Sequence, residues 1–305
     1  MPRAEEFARC SRATVDPEAI SFVKDDSIGR FAETVRESVM AGWVAGWTLA
    51  VVAAAQMTAP ALAEKYQSSP ERRTVQDKDW GQWLGPFRAK LVPSLMQDFG
   101  ERYLYAPADA ALPLPAKGEK RVVFLGDSIT DLWNLSVAFP GKPYVNRGIG
   151  SQVTSQMLLR FHQDVVALKP SAVVILAGVN DVQGFMQQET AESIEANYEA
   201  MADLADAHHI RVVFASILPV NDYTEKARDV VKERHPDELR AINAWLKAFC
   251  ARRGYVYADY YSALVDEHGL MQRDLTEDGV HPLAAGYAKM APIAEAAIGK
   301  ALAKR

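Results

Sequence analysis

Three short stretches of this chain hold side chains whose types and spacing suit nucleophilic catalysis. The first is Gly126-Asp127-Ser128-Ile129-Thr130, directly after the β-branched run at 121–125 (RVVFL). A serine at a strand-to-helix turn can present its hydroxyl at a sheet edge, with backbone N–H groups converging around it. That hydroxyl is a weak nucleophile until a neighbouring base takes its proton. Gly-Asp-Ser is also a good turn and N-cap sequence, so the stretch alone leaves both readings open. The second stretch, Gly178-Val179-Asn180-Asp181, follows the apolar run at 172–177 (AVVILA). Its Asn180 amide could donate to an oxyanion; the competing reading is a turn-forming Asn-Asp pair. The third is Asp278-Gly279-Val280-His281-Pro282, where a carboxylate stands three positions before an imidazole across a glycine-containing turn. Asp278 could then accept from one ring nitrogen while the other faces the serine; the alternative is a solvated loop histidine. Of the six histidines, His208 and His209 fall at an expected helix end and His162 within a helix, while His235 and His268 lack a good Asp partner.

A scaffold has to bring such stretches together, and the rest of the chain carries its pattern. The runs at 121–125, 172–177 and Arg211–Ala215 are short and β-branched, with weaker candidates at 144–146 and 255–258. Helix-length segments at 152–168, 189–208 and 238–253 separate them. A last helix is expected to begin near Pro282, which suits a first helical turn, and to run to about Ala303. Near-continuous apolar strands alternating with helices imply a parallel sheet covered on both faces. Right-handed crossovers then give a three-layer α/β/α sandwich. Ligands of such sheets bind outside the carboxyl ends of the strands, where polar residues of the needed types stand. Ahead of the sheet, Trp80, Trp83, Leu84 and Phe87 recur at helical spacing. They predict an amphipathic helix covering the main domain, or else an aromatic wall of a substrate groove. Residues 106–118, with Pro107, Pro113 and Pro115, read as a connecting segment.

Taken together and in this order, the blocks Gly126-Asp127-Ser128, Gly178-Val179-Asn180-Asp181 and Asp278-Gly279-Val280-His281 resemble those of the SGNH hydrolases, also called GDSL esterases. The resemblance runs over about residues 119–303 and implies that family's flavodoxin-like α/β/α fold. It implies Ser128 as nucleophile, with its own backbone N–H as one oxyanion donor and Asn180 as a side-chain donor. His281 would be general base and then acid, and Asp278 would hold its tautomer. Asp127 would shape the nucleophile turn beside the substrate. The segment Asn146-Arg147-Gly148-Ile149-Gly150-Ser151-Gln152 looks like the family stretch ending in a glycine whose N–H completes the oxyanion hole. Aligned on Asn146 and Ile149, that position falls on Ser151, with Gly150 just before it, so the donor is Ser151 or Gly150. Serine also has an N–H; glycine matters where φ must be positive or the substrate must approach closely. Trp133 could line the acyl or alcohol pocket, or pack in the core. Asp131 is expected to cap the helix after Ser128. The Gly-x-Ser-x-Gly elbow of the α/β-hydrolases does not occur in the sequence.

The implied reaction is acyl transfer from an ester to Ser128 and hydrolysis of the acyl-enzyme, with no metal or organic cofactor. Short-acyl esters, acetylated carbohydrates and lysophospholipids are the candidate substrates, and family membership does not choose among them. The absence of a long apolar stretch after Ser128 tilts the expectation toward small acyl groups. Two alternatives are an O-acyltransferase using the same acyl-enzyme and a catalytically inactive glycan- or lipid-binding domain.

Composition narrows the setting. With 305 residues, 49% hydrophobic and 24% charged, the chain has the make-up of an ordinary soluble globular protein. Its net charge of −5 is spread without a basic stripe, which argues against nucleic acid as a partner. Cys10 and Cys250 have no CxxC or Cys/His spacing, which argues against a zinc site. Cys250 is expected to be a small buried hydrophobe. Residues 40–55 are almost wholly apolar and Ala61-Leu62-Ala63 follows. This pattern predicts a signal peptide, a mature start near Glu64, and a secreted or periplasmic enzyme. The run is short beside the roughly 20 residues of a spanning helix. Upstream, Arg30 and Arg36 are accompanied by Asp25, Asp26, Glu33 and Glu37. The alternatives are therefore a start at Met40 or an uncleaved anchor, and only the anchor would place the protein at a membrane. The expected organisation is an N-terminal segment 1–63, a helical extension and linker 64–118, and a hydrolase domain 119–305.

Overall fold

The computed structural model describes residues 80–186 and 189–304. The apolar stretch, its cleavage site and the polar residues that follow lie outside the described residues. One parallel sheet has the order β2-β1-β3-β4-β5. Its strands are β1 (Val122–Gly126), β2 (Tyr144–Gly148), β3 (Ala172–Leu176), β4 (Arg211–Ala215) and β5 (Val256–Ala258). Every residue of β1 and β3 is buried, because both strands have neighbours on either side and helices above and below. The edge strands β2 and β5 are the two with weak sequence patterns. The first three residues of β2 are only half-buried, and β5 is three residues long.

Among the described residues, two helices, α1 (Gly81–Leu95) and α2 (Ala106–Ala111), precede the sheet. Between β1 and β2 lie α3 (Ser128–Asp131) and α4 (Leu135–Ala138), and α5 (Thr154–Asp164) leads into β3. Next come α6 (Val179–Gln183) and α7 (Ala191–Ala207), then α8 (Val230–Arg234) and α9 (Pro236–Arg253) after β4. Finally α10 (Tyr261–Leu264) and α11 (Ala284–Ala303) follow β5. Helix α11 crosses β3, β4 and β5 on one face and touches α4, while α5, α7 and α9 cover the other. The result is the three-layer sandwich that right-handed crossovers require.

Two expectations are corrected in detail. The segment at 106–118 is not wholly a connector, since it contains α2 with Pro107 in the first helical turn. The last helix starts at Ala284 rather than near Pro282. Pro282 is held in an antiparallel bridge with Thr276, and the Leu283 N–H donates to the Leu275 carbonyl over 2.7 Å. Those bonds fix the chain behind His281 before the helix can begin.

The register explains where chemistry can be placed. Gly126 at the end of β1 pairs with Gly148 of β2 on one side and Leu176 of β3 on the other. The three strands therefore finish level. Ser128, Gly150 and Gly178 each stand two residues beyond that line. The strand order also reverses between β1 and β3, the place where open α/β sheets leave a crevice.

Candidate active site

The turn after β1 is made by Asp127. Its backbone is extended (φ −92°, ψ −152°), and its Oδ1 accepts from the Ile129 N–H over 2.9 Å, capping α3. The cap expected of Asp131 thus belongs to Asp127, because α3 starts at Ser128 and Asp131 is its last residue. Asp127 is 1% exposed, so it shapes the turn and does not reach a substrate. Burial pushes its carboxyl up to about 6, against the bond from the Ile129 N–H and the charge of Arg234.

Facing this turn is the loop before α11. Ser128 Oγ lies 2.7 Å from His281 Nε2, and His281 Nδ1 lies 2.6 Å from Asp278 Oδ2. The other oxygen of Asp278 accepts from the backbone N–H groups of Val280 at 3.0 Å and His281 at 2.9 Å. Partial burial alone would raise the Asp278 carboxyl. The hydrogen bonds from the His281 ring and backbone and from Val280 outweigh it and hold the group well below the usual carboxylate range. An ionised carboxylate only accepts, so Nδ1 carries the proton and Nε2 presents a lone pair to the serine. Gly279 makes the turn possible: its φ is +81°, and a Cβ there would stand 2.2 Å from the Asn221 carbonyl oxygen. The solvated-loop reading of His281 is thereby replaced.

The other side of Ser128 is backbone and amide. Gly148 lets α3 cross the end of β2, since a Cβ would stand 2.1 Å from the Asp131 nitrogen. The Ile149 N–H donates to the Gly126 carbonyl over 3.0 Å. The chain then turns so that the Gly150 and Ser151 N–H groups have no hydrogen-bond partner among the described residues. A Cβ on Gly150 would be 3.9 Å from Ser128 Cβ, so this turn lies against the nucleophile. Ser151 has φ +67°, the left-handed conformation that favours glycine and costs a serine about 1–2 kcal/mol. Asn180, 5% exposed, donates from Nδ2 to the Gln152 carbonyl over 3.1 Å, which leaves its second N–H uncommitted.

Trp133 resolves to its core reading. It is 3% exposed and packs against Phe124, Phe139, Tyr260 and Tyr287 with ring centroids 5.3–6.1 Å apart. Lining a substrate pocket is therefore not its role. Cys250 is 2% exposed, and burial pushes its thiol up to about 12.

Several residues around the site carry no spacing signal in the sequence. Fully buried Gln152 takes a bond from Arg160 Nε to its Oε1 at 2.6 Å, and donates from Nε2 to Glu101 Oε2 at 3.0 Å. Arg160 also reaches the Arg147 and Gly126 carbonyls and Asp164. Asp181 Oδ1 accepts from both the N–H and hydroxyl of Thr154, at 2.9 and 2.5 Å. Burial pushes the Asp181 carboxyl up to about 7 in spite of those bonds. Buried Arg234 donates to Gln183 Oε1 over 2.9 Å. The one available hint was Arg160 itself, a charge set among the buried apolar residues Met157 and Phe161 of α5.

Fold and site together define a class: a doubly wound parallel sheet with a Ser–His–Asp chain at its carboxyl edge. The chain belongs to the GDSL-like lipase/acylhydrolase family, whose model matches residues 124–289. A candidate acylhydrolase from Bacteroides fragilis is 36% identical, with a TM-score of 0.63 over 67% of this chain and 99% of that one. A GDSL-like lipase from Bacteroides thetaiotaomicron is 35% identical, with a TM-score of 0.62 over 67% and 100% of the two chains. A Streptococcus pneumonia protein at 22% identity shares the fold, with a TM-score of 0.58 over 70% and 96%. The comparison with curated proteins finds no match. The SGNH resemblance read from the motifs and the α/β/α fold it implied both stand.

Proposed function

We propose that this chain is a serine hydrolase of carboxylic esters that works through an acyl-enzyme on Ser128. The observation that carries the reading is the unbroken chain Ser128 Oγ–His281–Asp278, with contacts of 2.7 and 2.6 Å. His281 Nε2 takes the Ser128 proton as Oγ attacks the ester carbonyl carbon, and Asp278 stabilises the imidazolium that results. The oxyanion meets the Ser128 N–H, the Gly150 or Ser151 N–H, and the free N–H of Asn180. His281 returns the proton to the leaving alkoxide. Water then repeats the sequence on the acyl-enzyme and releases the acid. Small-molecule or carbohydrate esters with short acyl groups are the proposed substrates. Only two four-residue helices, α3 and α4, lie between β1 and β2, which leaves little material for an acyl-chain lid on that side.

Ser128→Ala should lower hydrolysis of p-nitrophenyl acetate by at least about 10³ while circular dichroism stays unchanged. A fluorophosphonate should label the wild type and not the variant. Turnover by the alanine variant at the wild-type rate would remove Ser128 from the mechanism.

A further inference from the structure

The residues before the family domain meet it at two sets of contacts beside the site. Arg88 of α1 donates to the Phe185 carbonyl and, over 3.3 Å, to the Met186 carbonyl. Trp80 meets Phe185 edge-on at 5.2 Å, and Phe87 stacks on Phe185 at 6.0 Å. Leu84, Leu91 and Phe99 pack on a small apolar cluster of Leu95, Val153, Phe185 and Met186, separate from the main core. Phe185 and Met186 directly follow α6, which carries Asn180, and the Phe185 N–H donates to the Asn180 carbonyl over 3.4 Å.

The second set of contacts falls on the end of β2, the loop after it and the start of α5. Gln152 Nε2 donates to the Gly100 carbonyl and to Glu101, a carboxylate 4% exposed. Gln156 donates to the Phe99 carbonyl over 2.7 Å, and the Tyr105 hydroxyl donates to the Gly148 carbonyl over 2.5 Å. Arg147 Nε bonds Asp109 of α2 over 2.8 Å. Residues 80–109 thus reach the turn that holds Gly150 and Ser151, the residues directly after α6, which carries Asn180, and the length of α5, where Gln163 donates to the Arg102 carbonyl over 2.5 Å. Helix α1 also has little reason to form alone. Gly85, Pro86 and Pro93 within it are poor helix formers, and the Trp80 side chain does not cap its start.

We infer that residues 80–109 act as a strap that positions the oxyanion donors, with Arg88 and Glu101 as its positioning residues. The inference rests on the esterase reading above. Arg88 acts on Asn180 through the Phe185 and Met186 carbonyls, just beyond the end of α6. Glu101 acts on the Ser151 turn through Gln152, whose own carbonyl orients the Asn180 amide. Neither residue touches the Ser–His–Asp chain, so undocking the strap loosens oxyanion binding and leaves the base in place.

The test uses the full chain and p-nitrophenyl acetate. Arg88→Ala and Glu101→Ala should each lower kcat by about tenfold to a hundredfold, the usual effect of a small misplacement. KM should stay within about twofold and the acid limb of the pH profile should not move. Glu101→Gln, which can still accept from Gln152, should recover most of the rate. In an Asn180→Ala background, Arg88→Ala should cost no further kcat, because coupled residues are non-additive. Full additivity there, or wild-type kcat in folded Arg88→Ala and Glu101→Ala proteins, would overturn the strap and leave the esterase reading standing. A wild type that does not hydrolyse esters would overturn both. Should Glu101→Ala fail to fold, the Arg88 cycle decides.

Discussion

The two sides of Ser128 are held in different ways. The Asp278–His281 turn is closed mainly by its own residues, with the Asn221 N–H bonded to the Gly279 carbonyl over 3.0 Å and the Thr224 hydroxyl to the Glu277 carbonyl over 2.7 Å. Asp278 gathers the Val280 and His281 N–H groups and the imidazole, and Thr276 accepts from the Gly279 N–H over 3.0 Å. Those bonds span two or three positions. The turns after β2 and β3 depend on partners far away in sequence: Glu101 for Gln152, Asp181 for Thr154, Arg88 for Phe185. The base is thus set chiefly by a local motif, which the Asn221 and Thr224 bonds anchor to the fold. The proposed oxyanion donors are set by tertiary structure, which can be perturbed at a distance.

The largest expected effect breaks the local side. Asp278→Asn can keep its contacts with the Val280 and His281 N–H groups, so the turn should hold. The amide no longer fixes the Nδ1 proton, and kcat should fall on the order of 10⁴ with the fold retained. A loss under tenfold, with circular dichroism unchanged, would mean that the turn alone orients His281.

On the other side, Ser151→Gly should relieve the left-handed strain while giving back chain entropy. Stability should change by under about 1 kcal/mol. Activity on acetyl esters should stay level or rise, and bulkier acyl chains should gain more. A fall in kcat in the folded variant would show that the Ser151 side chain supports the site.

The smallest effect is on stability and distinguishes the sides by sign. Burial raises Asp127 to about 6 and Asp181 to about 7 from an ordinary 3.8. The folded protein therefore binds more protons than the unfolded chain between about pH 4 and 7, and stability falls as pH rises through that window. Asp278 is depressed, so its contribution is present above the ordinary carboxylate range and is lost only in acid. Tm should decline from pH 5 to pH 8, and Asp181→Asn, still able to accept from Thr154, should flatten the decline. An unaltered slope in that variant would mean that Asp181 does not titrate there.

Legibility in the sequence follows the same division. The central strands β1, β3 and β4 stand out because almost every side chain in them is buried, which leaves unbroken apolar runs. Edge strands face water and lose that mark. Ser128, Asp278 and His281 were legible because each sits at a strand end or in a turn with a short motif, and the structure brings the three together. Asp127 and Asp131 were exchanged as caps because either spacing is compatible with a helix whose start is uncertain by a few residues. The pairing of Arg147 with Asp109, and of Gln152 with Glu101 and Arg160, joins positions that no helical or strand period relates. Such bonds exist only once the chain has folded.

The level ends of β1, β2 and β3 have a consequence for how activity is lost on warming. Amides of the fully buried β1 and β3 should exchange with solvent only through global unfolding, while those of α1, with its prolines and sparse core contacts, should exchange through local opening. Ser128 and Asn180 hang from the slow-exchanging strands. The turns beside them lean on the fast-exchanging helix. Inactivation by mild heat should therefore run ahead of the loss of sheet signal, and early cooling should restore the rate.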